Sequence, residues 1–243
     1  MIVVSGHQPL YLPWLGFIHK LSLSDIFIFM DDVQLLDRDF NQRNRVMTPD
    51  GKILWLSVPL ARNKSASLRL CDICIARNGR SKDWQKNHLM TLQGCYGRTA
   101  FFKRFFPFFE WLYLENDWEF LSLLNLAILN QIREWFRLTA KIVIGSEQNF
   151  TEKKSDLLLE HALRFKADIL LTGEQGASYI VYDDFKKYGI AVAHQKYEHP
   201  NYEQGRAHGV THLAFLDLLF RYGDEASGIA FANNITRDDL CRV

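Results

Sequence analysis

The chain of 243 residues carries 29 basic and 28 acidic side chains, for a formal net charge of +1, with 48% apolar and 23% charged residues. So even a balance excludes the broad basic field of a nucleic-acid binder, and no apolar run reaches the roughly 18 to 20 residues that a membrane-spanning helix needs. The start "MIVVSGHQP" has neither a basic n-region nor a small-residue cleavage site, so a cytoplasmic location is expected. "MIVVSG" predicts a short strand ending at Gly6. "PWLGFIHKLSLS" then spaces Trp14, Phe17, Ile18 and Leu21 at helical intervals behind Pro13, which a first helical position tolerates. "DIFIFMDD" is a continuous apolar run stopped by aspartates, as a strand buried on both faces requires. Together these make a βαβ unit.

"RNRVMTPDGKILWLSVPL" predicts a hairpin around "TPDG", and "ARNKSAS" predicts a polar loop. "LRLCDICIA" reads as a strand, in which Cys71 and Cys74 point to opposite faces and converge poorly on a metal, so no zinc site is expected. Residues 81–138 predict helices, with Pro107 separating or bending them. Their Phe-rich stretch carries few cations, which favours a helical core over a membrane-surface helix. Strands and helices then alternate: "KIVIGSE", "EKKSDLLLEHALRFK", "DILLTGE", "SYIVYDDFKKYG", "AVAHQKYE" and "THLAFLDLLFRYG", the last capped by Gly223. The expected fold is an α/β, mostly parallel doubly wound sheet with a helical insertion in the middle of the chain. It forms one domain over residues 1–243, with sheet-forming halves 1–80 and 139–223, an insertion 81–138 and a tail 224–243.

Ligands of open parallel sheets bind beyond the carboxyl ends of the strands. Those ends present His7 and Gln8, then Asp31, Asp32 and Gln34, then Ser146 and Glu147, then Thr172, Gly173 and Glu174, then Tyr197 and His199. Asp31 and Ser146 serve equally well as helix caps. His7, between a strand end and a proline-stiffened helix start, suits a general base or an anion contact. "FNQRNR" offers Arg43 and Arg45 around Asn44 as a bidentate anion clamp, or else as a solvated basic turn. "TGEQGASY" is glycine-rich without matching a P-loop or dinucleotide fingerprint.

"GHQPLYLPWLGFIHK", "SDIFIFMDDVQ", "RDFNQRNRV", "GKILWLSVPL", "LLTGEQGASYI" and "HPNYEQ" resemble, in order, the recurrent motifs of the WbqC-like protein family. The residues that fall on those motifs are His7, Gln8, Tyr11, Pro13 and Trp14; Asp31, Asp32, Gln34, Arg43, Asn44 and Arg45; and Gly173, Tyr179, His199, Pro200, Tyr202 and Gln204. The resemblance implies a role in bacterial O-antigen or related polysaccharide synthesis. It suggests a transferase attaching an acyl or aminoacyl group to a nucleotide-linked amino sugar. In that reading His7 or His199 deprotonates the amine, Arg43 and Arg45 hold the diphosphate, and Asp31 or Asp32 orients the sugar. The partners are then a sugar nucleotide and an acyl carrier or other acyl donor. Two alternatives stay open: a nucleotide-dependent ligase or nucleotidyltransferase, and a non-catalytic sugar-nucleotide-binding or scaffold protein.

Overall fold

In a computed structural model, which describes residues 1–35, 39–61, 68–77 and 82–242, the chain opens with β1 (Val3–His7), α1 (Leu15–Ser22) and β2 (Ile26–Phe29). β1 and β2 pair in parallel, and Phe27, Ile28 and Phe29 are at most 1% exposed, as a strand covered on both faces demands. α1 buries Leu15, Phe17, Ile18 and Leu21 on its sheet-facing stripe. Next comes the hairpin of β3 (Arg43–Met47) and β4 (Ile53–Ser57), a separate antiparallel pair closed by the predicted turn, with Gly51 at φ +87°. Beyond Ala61, the loop predicted for "ARNKSAS" lies outside the described residues.

The cysteine segment differs from its prediction. Leu70–Asp72 form one 3₁₀ turn, followed by isolated bridges of Cys74 to Phe120 and of Ile75 to Leu60. Without an extended partner strand, an apolar alternation of this length does not become a ladder. The helices α2 (Trp84–Tyr96), α3 (Phe102–Leu114) and α4 (Leu121–Trp135) follow. α3 runs unbroken through Pro107, where a break or bend was expected. Phe102, Phe105, Phe106, Phe109, Leu112 and Tyr113 are buried along one stripe on both sides of the proline. Each such side chain contributes roughly 1.5 to 3 kcal/mol, which together outweigh the roughly 3 kcal/mol that an interior proline costs.

The second half adds β5 (Lys141–Ile144), α5 (Lys154–Arg164), β6 (Ile169–Gly173), α6 (Tyr182–Lys187), β7 (Ala191–Gln195), α7 (Leu216–Tyr222), α8 (Ala226–Phe231) and α9 (Arg237–Leu240). Gly223, at φ +57°, ends α7 as predicted. The stretch read as a tail thus carries α8 and α9, seated by the buried Ala226, Ala230 and Leu240 and by an Arg237–Asp25 ion pair. β1, β2, β5, β6 and β7 form one all-parallel sheet in the order β5-β2-β1-β6-β7, so the segments before and after the helical block share it. Val4, Ile28 and Leu170 pack on the α5–α6 side with Phe185. On the other side, α1, the α2–α4 block and α7 share one large aromatic core. The chain runs outward from β1 in one direction and returns to its other side at β6, which makes the β1–β6 boundary the switch point. Among the described residues no helix is long and apolar enough to cross a membrane.

Candidate functional site

At the switch point the sheet splits. β1 pairs with β2 up to His7–Phe29, and β6 pairs with β7 up to Gly173–Gln195, but β1 and β6 pair only as far as Ser5–Leu171. The carbonyls of Val3 and His7 accept from the Asp25 and Met30 N–H groups on the β2 side. Strand alternation therefore turns the Gly6 carbonyl toward β6, where one more rung would join it to the Gly173 N–H. The Lys20 ammonium donates to it instead, at 2.8 Å. Lys20 is 5% exposed, no carboxylate pairs with it among the described residues, and burial lowers its pKa to about 8. A Cβ on Gly173 would meet nothing within 4 Å, so the β6 side of this fork is open.

His7 stands half-buried at the end of β1, its ring edge-on to Phe17 at 5.1 Å. Nδ1 lies 2.9 Å from the Gln8 carbonyl, so Nδ1–H donates and Nε2 keeps its lone pair. Burial first, then the Lys20 charge, lowers its pKa to about 4. The imidazole is therefore neutral near pH 7, a good acceptor and a weak base.

The loop behind His7 is held chiefly by asparagine amides. Asn41 Nδ2 donates to the Pro9 carbonyl at 2.7 Å and to Gln8 Oε1 at 3.4 Å, and Asn125 Nδ2 donates to the Asn41 carbonyl. Asn44, fully buried, donates to the carbonyl of Leu12, which sits at φ +46°, and accepts from the Arg45 N–H. Asn44 is thus a loop anchor. Tyr11, which falls on the family motifs, is placed in the core: it is 0% exposed, and its hydroxyl is shared between His88 Nδ1 at 2.8 Å and the Tyr113 hydroxyl. Trp14 anchors the turn, its ring lying over Gly16 and packing against Tyr197 and His212.

The remaining expected residues fall in four groups. At the ends of β2 and β5, Asp31 accepts from the Ser146 N–H at 2.8 Å and from its hydroxyl at 2.9 Å, which ties the two strand ends together, while the turn Gly145–Glu147 has no side-chain cap. Asp32 keeps a buried Oδ1 without a hydrogen-bond partner among the described residues, and burial raises its pKa. Gly145 makes room for that oxygen, which would lie 2.6 Å from a Cβ there. Asp31 and Ser146 line a cleft of about 190 Å³ with Cys71, Phe120 and Glu147, while Gln34 bridges to Arg69. On the hairpin, Arg43 and Arg45 share one face and both stack on Trp55, at 4.6 and 5.8 Å. Arg45 is also spent on the Thr211 and His212 carbonyls, so the pair is not a free fork-on-phosphate clamp.

After β7, His199 Nδ1–H donates to the Pro200 carbonyl at 3.2 Å, leaving Nε2 buried and without a partner among the described residues, and burial lowers its pKa. Its ring belongs to an aromatic group with Tyr197, Tyr202 and His212. Trp14, just past "GHQPLY", packs on Tyr197, just before "HPNYEQ", so the two segments approach each other through their neighbours. Tyr202 is buried beside Tyr222, and Gln204 braces its own loop by a two-way bond with Val210. Glu174 and Tyr179 are exposed on the turn after β6.

Sequence reasoning missed two features. Lys20 lies three residues after Phe17 on the apolar stripe of α1, and a lysine on a buried stripe was the available signal. The second is a relay on β6 and β7. Thr172 donates to the Gly173 carbonyl and accepts from His194 Nδ1–H at 2.8 Å, while His194 Nε2 accepts from the Tyr182 hydroxyl at 2.8 Å. Nothing in the residue types or spacing announced that chain, because His194 sits inside a strand.

The fold and the split ladder define a doubly wound α/β protein whose candidate site lies beyond the carboxyl ends of its central strands. The chain belongs to the WbqC-like protein family, whose model matches residues 8–229. It is similar to the uncharacterized protein Rv1507c of Mycobacterium tuberculosis (strain ATCC 25618 / H37Rv), with 28% identity over 220 residues that cover 90% of this chain and 93% of that relative. No solved structure matches the chain.

Proposed function

We propose that the protein is a cytoplasmic transferase of polysaccharide synthesis, which attaches an acyl or aminoacyl group to a nucleotide-linked amino sugar. The observation that carries this reading is the fork at the switch point, where His7 Nε2 has no hydrogen-bond partner, and the neighbouring ammonium no counter-charge, among the described residues. A neutral imidazole at that place accepts a hydrogen bond from the sugar amine and aligns its lone pair with the acyl carbon. Protonation of the imidazole follows as the new bond forms. The acyl carbon leaves its donor atom for the amine nitrogen, and the imidazolium passes the amine's proton to the departing group. Membership of the WbqC-like family, from which a role in bacterial polysaccharide synthesis is inferred, supports this reading.

The test is calorimetric titration with UDP- and dTDP-linked amino sugars, ATP with magnesium, and acyl donors. Sugar-nucleotide binding that weakens roughly a hundredfold in His7→Ala supports the reading. Binding of ATP with magnesium alone favours a ligase or nucleotidyltransferase, for which a histidine at the first strand-to-helix turn is the observation. Silence across the panel favours a scaffold.

A further inference from the structure

We infer that the β1–β6 fork is a phosphoryl-binding site, with Lys20 as its charge and the diphosphate of a nucleotide-linked ligand as its occupant. The inference rests on the site reading above and moves the diphosphate from the arginines to Lys20. Three independent observations converge on it.

The first is an uncompensated charge. A buried ammonium needs a counter-ion or a full set of acceptors. Lys20 has three N–H donors. One goes to the Gly6 carbonyl, and no carboxylate pairs with it among the described residues. Around the fork, β1 contributes His7, β6 the uncharged Thr172 and Gly173, and β7 the neutral Gln195; Glu174 stands exposed on the turn beyond. An entering anion supplies the missing charge.

The second is the interrupted ladder. Pairing beyond Ser5–Leu171 would have consumed the Gly173 N–H, and strand alternation leaves that donor facing the fork with the ammonium. A backbone N–H and an ammonium converging on one gap are the donor set that phosphoryl oxygens take. The third is access. Gly173 has open space where a side chain would stand, so a tetrahedral group can approach the backbone closely. The arginines do not compete for this role, because Arg45 is tied to the Thr211 and His212 carbonyls and both guanidiniums stack on Trp55.

The experiment titrates inorganic pyrophosphate, UDP and uridine into the full chain by calorimetry, at pH 7 and pH 9.5. Lys20→Met and Gly173→Val are measured beside the parent. Pyrophosphate and UDP should bind at pH 7, and uridine at least tenfold more weakly. Both phosphates should lose at least tenfold in Lys20→Met and in Gly173→Val, and affinity should fall at pH 9.5 as the ammonium deprotonates. Pyrophosphate binding without UDP binding would assign the fork to a free phosphate and overturn the nucleotide part. Unchanged affinity in Lys20→Met, or no phosphate binding by the parent, would overturn the site. If Lys20→Met does not fold, Gly173→Val and the parent's pH dependence decide the same question. Should UDP bind in this way while no amino-sugar nucleotide is turned over, the transferase reading fails and the fork site stands.

Discussion

At Lys20, placement and stability pull in opposite directions. Burial holds the ammonium at about 8, below its ordinary 10.5, so between those values the unfolded chain binds more protons than the folded one. Stability from this group therefore rises with pH across that window, and below about pH 8 the fold carries the whole cost, roughly 3 kcal/mol. Lys20→Met keeps the apolar stem and loses one hydrogen bond worth about 1 kcal/mol. Thermal melts should place it above the parent at pH 7, with the advantage gone near pH 10.5; a variant that melts lower at pH 7 would mean the ammonium stabilises the empty fold. His7→Ala removes a half-buried ring with one bond to its neighbour's carbonyl, and should shift stability by under about 1 kcal/mol while weakening ligand binding roughly a hundredfold. A variant that melts far lower, with its folded fraction still binding, would make His7 structural. Residue types announced His7, since a histidine at a strand end is visible in sequence. They did not announce Tyr11 as core, because only the fold brings His88 and Tyr113 to its hydroxyl.

Among the elements, the loop from Gln8 to Trp14 owes its shape to partners far along the chain. Asn44 reaches from β3 to the Leu12 carbonyl and so stabilises a left-handed residue that would otherwise cost about 1 kcal/mol or more. Asn44→Ala should destabilise by about 1 to 3 kcal/mol in denaturant titration and weaken ligand binding through the misplaced His7. Gly16 is required by the Trp14 ring, which would lie 2.1 Å from a Cβ there. Gly16→Ala should therefore expel the indole and cost about 1 to 3 kcal/mol, although alanine is the better helix former. If Gly16→Ala melts at or above the parent, the ring does not hold the turn. The strands and α1 were legible because continuous or periodic apolar runs name their own burial. The cysteine segment and the unbroken α3 were not. In both, tertiary packing overrides the local preference, through the bridge to Phe120 in one case and the phenylalanine stripe in the other.

Across the molecule, strand order decides where polar groups collect. Alternating strands and helices in the sequence predicted a parallel sheet, and polar strand ends predicted a site at its carboxyl edge. The order β5-β2-β1-β6-β7 and the early end of the β1–β6 ladder were not legible, since they depend on which distant strands pair. An anion in that fork favours the charged forms of both Lys20 and His7, whose free values are about 8 and about 4. At pH 8.5 binding should therefore take up a proton at Lys20, seen as a dependence of the calorimetric enthalpy on buffer ionisation; proton release would contradict it. The same anion would bring His7 closer to the pH at which a base works best. The central claim is that ligand binds in the β1–β6 fork. It is tested most directly by the crystal structure of the protein with a UDP-linked amino sugar. The account predicts a phosphoryl oxygen about 2.8 Å from Lys20 Nζ and the sugar beside His7 Nε2. A ligand seated on the Arg43–Trp55–Arg45 face, or in the cleft beside Ser146, with the fork empty, would contradict it.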